Sequence, residues 1–278
     1  MQLRCKNRVL DLGRPLVMGV LNVTPDSFSD GGRYQDVQSA ADRAWQMVEE
    51  GAALIDVGGE STRPDAEPVS ETEELKRVMP VIERIAELPA VISIDTSKPR
   101  VMREACAAGA GLINDVYALR QPGAMQAARE TGAAVCLMHM QGEPRVMQDQ
   151  PHYKVVVAEI GEFLAARRQA CIAAGIPAER IVLDPGFGFG KTLAHNLTLL
   201  ARLGELRVLG GALLVGISRK SMLGALTGLP PGQRVNAGLA AATLAVLQGA
   251  RIIRTHDVRA TVEAVKLATA AMQYRTEK

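Results

Sequence analysis

Aromatic residues are scarce in this sequence: Phe, Tyr and Trp make up 3% of its 278 residues. A core must therefore be assembled from Val, Ile, Leu, Ala and Met, and 47% hydrophobic content suffices for one large core or two smaller ones. Cysteine is scarce too. Cys5, Cys106, Cys136 and Cys171 lie far apart and form no C-x-x-C pair. That excludes a disulfide frame and a zinc ribbon, and reads as buried thiols in a reducing compartment. No apolar run approaches the ~18 residues of a membrane-spanning helix. The N-terminal stretch MQLRCKNRVLDLGRP has no apolar h-region, so no signal peptide is expected and the cytoplasm is the default location. A net charge of +2 gives no reason to expect a nucleic-acid partner, while 26 glycines point to many tight turns.

Missing motifs narrow the chemistry. There is no H-E-x-x-H, and no H-x-H follows the first strand, where Asn22 stands instead; a protein-caged zinc is not expected. The stretch DPGFGFGKT, residues 184–192, ends like a nucleotide-binding loop. Walker A, however, needs glycine five residues before Gly190, and Pro185 stands there. No G-x-G-x-x-G occurs either, so the nucleotide-binding reading fails. Lys191 and Thr192 are then expected only to open a helix carrying Leu193, Leu197 and Leu200, with His152 and His195 at helix ends or on the surface.

What the chain does have is alternation. Eight short apolar runs, at 16–22, 53–59, 91–95, 111–116, 133–139, 181–186, 212–218 and 250–256, read as strands. Amphipathic stretches separate them. Leu75, Val78, Met79, Ile82, Ile85 and Ala86 trace a helical face behind Ser70 and Glu73, the S-x-x-E of a capping box. Val235, Leu239, Ala242 and Val246, and later Val258, Val262, Val265, Ala268 and Met272, repeat that pattern. A (β/α)8 barrel and a doubly wound open sheet share such alternation. Eight units of similar length with no composition break favour a single barrel domain over residues 1–278, with residues 3–13 as a hairpin plugging its bottom. Three loops, 22–36, 59–70 and 140–151, exceed the usual length and follow strands. In a barrel they share the C-terminal face, where they read as lids, or else as plain surface excursions.

Seven of the eight strands end in a polar residue: Asn22, Asp95, Asn114, His139, Asp184, Ser218 and His256, with Arg254 two positions earlier. One such residue can be a solvated cap; seven projected onto a barrel converge on one mouth. Asp95, Asp184 and Asn114 accept hydrogen bonds and suit a flat heterocycle with adjacent N–H donors, while Lys220 can meet a carbonyl or ring nitrogen and offset the carboxylates. Ser218, Arg219, Lys220, Ser221, Arg254 and His256 follow the last two strands, where barrels bind phosphate, and a helix N-terminus is expected after Ser221. Arg63 on the second loop can close over the same anion. The competing reading is a solvated basic face.

In order, the segments MGVLNVTPDSFSDGG, IDVGGESTRP, IDTSKP, INDV, LMHMQGEP, DPGFGFGK, GISRKSMLG and IIRTHDV span about residues 16–258. Together they resemble the dihydropteroate synthases, the folate-pathway family inhibited by sulfonamides. The resemblance implies a (β/α)8 barrel that joins 4-aminobenzoate to 6-hydroxymethyl-7,8-dihydropterin diphosphate, releasing diphosphate. It implies a pterin set of Asp95, Asn114, Asp184 and Lys220, with Met138 and Phe189 against the ring. It implies a diphosphate set of Asn22, Thr62, Arg63, Arg254 and His256, with Asn22 touching magnesium. Thr62, Arg63, Ser218, Phe28 and Pro64 would line the aminobenzoate route, and Asp95, Lys220, Arg254 and His256 would serve the chemistry. A homodimer through helices near the C-terminus is also implied. One position departs from the family: Asp65 follows STRP where glycine is usual, so the second loop is expected to close differently. A pterin-dependent methyltransferase barrel is the rival within enzymes, disfavoured by SRKS and STRP. A silent pterin-binding paralogue is the rival outside them, disfavoured because Asn22, Arg63, Lys220, Arg254 and His256 are all present.

Overall fold

A computed structural model describes residues 1–23, 33–61, 67–142, 147 and 150–274. Its strands are β1 (Gln2–Cys5), β2 (Arg8–Asp11), β3 (Leu16–Asn22), β4 (Leu54–Gly58), β5 (Val91–Asp95), β6 (Leu112–Asp115), β7 (Ala134–Met138), β8 (Ile181–Asp184), β9 (Ala212–Val215) and β10 (Ile252–Thr255). Among the described residues the helices are α1 (Arg33–Glu49), α2 (Glu71–Arg84), α3 (Pro99–Ala107), α4 (Ala124–Thr131), α5 (Val156–Ala173), α6 (Leu193–Ala201), α7 (Ser221–Thr227), α8 (Val235–Leu247) and α9 (Val258–Gln273). Strands β3 to β10 close into a parallel barrel in sequence order, β10 pairing back onto β3, so the open-sheet alternative is excluded.

Strand pleating divides each strand between two environments, because successive side chains point to opposite faces. One set packs outward under the helices: Val17, Leu21, Ile55, Val57, Ile92, Ile94, Ile113, Val135, Leu137, Leu183, Leu213, Val215 and Ile253 belong to a single buried cluster with helix residues such as Val78, Ile82, Leu164 and Val262. The other set points into the barrel. Its lower layer, Met18, Leu54, Val91, Leu112, Ala134, Cys136, Val182, Leu214 and Ile252, forms a second cluster. Two positions further along β4, β5, β6, β8 and β10 the inward residues are polar (Asp56, Ser93, Asn114, Asp184 and Arg254), and there the site begins.

The N-terminal strands form the expected antiparallel hairpin, Gln2 opposite Asp11 and Cys5 opposite Arg8. Leu3, Cys5 and Leu12 enter the lower inward cluster, so the hairpin does close the barrel bottom. Lys6 Nζ donates to Cys106 O at 2.6 Å, and Arg8 donates to Ala90 O at 2.7 Å and Leu88 O at 2.6 Å. The Leu88 and Ala90 carbonyls follow the end of α2, and the Cys106 carbonyl lies in the last turn of α3, where it also accepts from Gly109 N at 3.3 Å. Burial pushes the Cys5 thiol up to about 12, and all four cysteines are buried and unpaired.

The capping signal at Ser70 holds in half. Ser70 Oγ accepts from Glu73 N at 3.2 Å, while the Glu73 carboxylate pairs with Arg77 at 3.1 Å. At α6 the reciprocal box forms instead between Thr192 and His195, so His195 serves a helix end.

Candidate active site

The upper inward layer is charged. Asp56 of β4 is wholly buried, and its Oδ2 accepts from Arg254 Nε of β10 at 2.6 Å and from Asn114 Nδ2 of β6 at 3.0 Å. A second guanidinium nitrogen of Arg254 donates to Asp95 Oδ2 at 2.9 Å. Four strands thus meet at one cation held between two carboxylates. Burial, then the charge on Asp56, push the Asp95 carboxyl well above the usual carboxylate range, and Arg254 opposes them. The flanking carboxylates hold Arg254 firmly protonated. Asp56 was not expected from the sequence. It stands mid-strand, one inward position below the mouth, and its signal is a lone carboxylate inside the apolar run LIDVG.

Asp184 closes β8 at the same level. Its Oδ1 accepts from Gly186 N at 2.7 Å, and burial raises its carboxyl against the opposing charge of Lys220. Lys220 Nζ donates to Phe187 O and lies 4.5 Å from the centre of the Phe189 ring. Burial lowers its ammonium to about 8, opposed by Asp184 and Asp95. Beside these groups Val116, Met138, Met140 and Met147 form a small apolar cluster with Tyr117 and Phe189 packed on it. The mouth therefore pairs a polar wall of Asp95, Asn114, Asp184 and Lys220 with a wall of flexible thioethers and rings. That combination accepts a flat, hydrogen-bonding heterocycle.

Asn22 ends β3 with an exposed side chain. Gly58 leaves room between it and Asp95: a Cβ there would stand 3.8 Å from Asn22 Oδ1 and 3.6 Å from Asp95 Cβ. Across the mouth, His256 Nδ1 lies 3.1 Å from Ser218 Oγ, which also accepts from His256 N at 3.2 Å. Arg219, grouped with the anion-seeking residues on sequence, ion-pairs with Asp257 at 2.6 Å. The helix opening at Ser221 is there, but α7 has only seven residues. Phe28, Thr62, Arg63, Pro64 and Asp65 lie outside the described residues.

Two expectations are corrected. His139 does not join the mouth. It continues the outward set of Val135 and Leu137, is 6% exposed, and meets the Phe163 ring of α5 edge-on at 5.0 Å between centroids. Asp115 shares that parity: its oxygens accept from Tyr117 N at 2.9 Å and Leu119 N at 2.8 Å, holding two residues at positive φ. Lys191 does more than open a helix. It is 3% exposed and precedes the cap of α6. A crevice between α8 and the outer face of β9 and β10, lined by Val215, Ile217, Ala242 and Ile253, reaches Ser218 and Arg254 at the ends of the same strands.

Fold and mouth together define a (β/α)8 barrel whose C-terminal mouth sets hydrogen-bonding groups opposite an apolar wall. Comparison with known proteins agrees. The family model described as pterin binding enzyme matches residues 18–256. Dihydropteroate synthase of Escherichia coli strain K12 is 52% identical over 279 residues, covering 100% of this chain and 99% of its own. A Yersinia pestis dihydropteroate synthase solved with a sulfonamide drug complex superposes with a TM-score of 0.94 at 52% identity, covering 98% of this chain and 100% of its own. A Xanthomonas albilineans dihydropteroate synthase in complex with 7,8-dihydropteroate superposes at 0.89 with 49% identity, covering 98% and 99%. The chain belongs to the dihydropteroate synthase family.

If Asp56 holds Arg254 and Asn114 in register, Asp56→Ala leaves the partly buried Arg254 guanidinium with Asp95 alone. The expected loss is about 3–5 kcal/mol of stability by denaturant titration, with weakened pterin binding in whatever remains folded. Wild-type stability and affinity would contradict that role.

Proposed function

We propose that this chain condenses 6-hydroxymethyl-7,8-dihydropterin diphosphate with 4-aminobenzoate to give 7,8-dihydropteroate and diphosphate. The observation that carries the reading is the joining of Asp95, Asn114, Asp184 and Lys220 at one barrel mouth, in a chain that matches dihydropteroate synthases over its whole length. The relative from Xanthomonas, solved with 7,8-dihydropteroate, supports the product.

In this reading Asp184 and Asn114 accept the pterin's N–H donors, Lys220 donates to its carbonyl or ring nitrogen, and Met138 and Phe189 pack on its faces. The exocyclic methylene carbon loses diphosphate as the C–O bond breaks and its electron pair leaves with oxygen. The electron-rich ring stabilises the resulting cation, and Asp95 as a carboxylate favours it electrostatically. Arg254 and His256 take up the charge on the departing diphosphate. The amine of 4-aminobenzoate, uncharged near neutral pH, forms the new C–N bond and then sheds a proton. Ser218 belongs to the aminobenzoate side, with Thr62, Arg63, Phe28 and Pro64 assigned there or to the diphosphate from sequence alone.

Magnesium fits one protein ligand here. Asn22 offers an exposed amide oxygen at the mouth, a hard donor of the kind this ion takes together with substrate phosphate oxygens. Bound there, the ion would neutralise diphosphate charge. Among the described residues no cluster of three His, Cys, Asp or Glu offers a fuller cage. We place the enzyme in the cytoplasm as a single domain over residues 1–278; among the described residues no helix is long and apolar enough to cross a membrane. A homodimer through α8 and α9 is supported by Leu244 and Leu267, exposed on these neighbouring helices.

Purified protein given dihydropterin diphosphate, magnesium and 4-aminobenzoate should release diphosphate and form dihydropteroate, with Lys220→Ala inactive. Pterin binding without turnover would overturn the synthase reading in favour of a silent paralogue, and no pterin binding would overturn the pocket itself. The pH profile gives a second check. Lys220 loses its proton as pH rises through about 8, so pterin affinity falls above that value. Asp95 gains a proton as pH falls through its raised value, so the acid limb lies above the ordinary carboxylate range. A profile flat between about pH 5 and about pH 9 would contradict both roles.

A further inference from the structure

The turn after β8 is fastened by a side chain with no part in the chemistry above. Lys191 Nζ donates to Gly186 O at 2.8 Å and to Phe189 O at 3.0 Å, and lies 3.0 Å from His139 Nδ1. None of these contacts is a carboxylate, and burying an ammonium without one is costly unless its hydrogen bonds are all made. Burial accordingly lowers Lys191 to about 7, and the neighbouring His139, itself lowered to about 3 by burial and by the charge on Lys191, stays neutral. An apolar side chain would fill this place without that cost, but would take the Lys191 donor from the Phe189 carbonyl and leave the Gly186 carbonyl with the Phe189 N–H alone, at 3.1 Å.

The turn these bonds hold is tightly seated. A Cβ on Gly186, at φ +68°, would stand 1.9 Å from His139 O, and one on Gly190, at φ +61°, 2.4 Å from Gln141 O. Its far side is tied by Asn196 Oδ1, which accepts from Gly188 N at 2.8 Å. The same turn presents two things to the mouth: the Phe187 carbonyl that accepts from Lys220, and the Phe189 ring over which Lys220 lies.

We infer that Lys191 is a positioning residue for the pterin pocket. From behind the turn it fixes the 186–190 backbone and so aims the Lys220 ammonium and the Phe189 ring. The inference rests on the pterin reading above.

Calorimetric titration of a 6-hydroxymethyl-dihydropterin against wild type, Lys191→Met and Asn196→Ala tests it. Lys191→Met should weaken pterin binding by about tenfold or more, the effect of losing charge-assisted bonds that orient the site, with the KM for 4-aminobenzoate changed less than about threefold. Asn196→Ala loosens the same turn without altering a buried charge and should show the same split to a smaller degree; it decides the matter if Lys191→Met does not fold. Wild-type pterin affinity in a folded Lys191→Met protein overturns the inference. So does a parallel loss of pterin affinity and aminobenzoate KM, or, where only Asn196→Ala folds, unchanged pterin affinity in that variant. Failure of the wild type to bind the pterin at all would instead sink the reading on which the inference rests.

Discussion

The interaction on which this molecule's upper half depends is the grip of Asp56 and Asp95 on Arg254, at 2.6 and 2.9 Å. It crosses the barrel interior from β10 to β4 and β5, and Asn114 joins it from β6. Ion pairs buried in this way are poor sources of stability, because desolvating three charged groups costs about as much as their attraction returns. Their value lies in direction. With Arg254 fixed, Asp95 is turned to the mouth and held short of full burial, at 14% side-chain exposure, where a developing positive charge on a substrate can meet it. Asp56 Oδ1 has no hydrogen-bond partner among the described residues, a further sign that this layer is not arranged for stability alone.

The barrel separates its two tasks along its axis. Below, Leu3, Cys5 and Leu12 of the hairpin meet the apolar inward layer, and nothing in that cluster is suited to chemistry. Above, the inward positions carry carboxylates, an amide and a guanidinium, and the strand-end turns aim Lys220 and the rings. This division matches the general pattern of (β/α)8 enzymes, stability at the N-terminal face and function at the C-terminal face. It also explains how a chain so poor in aromatics maintains its core: Met, Val, Ile and Leu fill both layers, while Tyr117, Tyr153, Phe163 and Phe189 gather near the mouth and its supporting turn.

Much of this was legible in the residue pattern. The eight strands, the hairpin and the strand-end acceptors Asp95, Asn114 and Asp184 follow from alternation and from polar residues closing apolar runs. Three things did not follow. His139 ends a strand like the others, but pleat parity sends it outward beside Val135 and Leu137, and a strand end by itself does not reveal parity. Asp56 sits mid-strand, where a carboxylate reads as an exception until its cross-barrel partner Arg254, 198 residues away, is seen. Lys191 resembled the tail of a nucleotide loop, and only the folded turn shows two carbonyls and the His139 ring converging on its amine. The Asp56 miss concerns a contact 198 residues long, the Lys191 miss a turn closed partly by His139 from 52 residues away, and the His139 miss a strand parity that an isolated strand end does not show.

The central claim is that Asp56 acts through Arg254, presetting the mouth before substrate arrives. A double-mutant cycle reads it most directly: dihydropterin dissociation constants for wild type, Asp56→Asn, Arg254→Gln and the double variant. The account predicts strong non-additivity, a coupling of about 1.5 kcal/mol or more, with the double variant little worse than Arg254→Gln alone. Losses that simply add would show that the two residues serve the pocket independently, and would contradict the account.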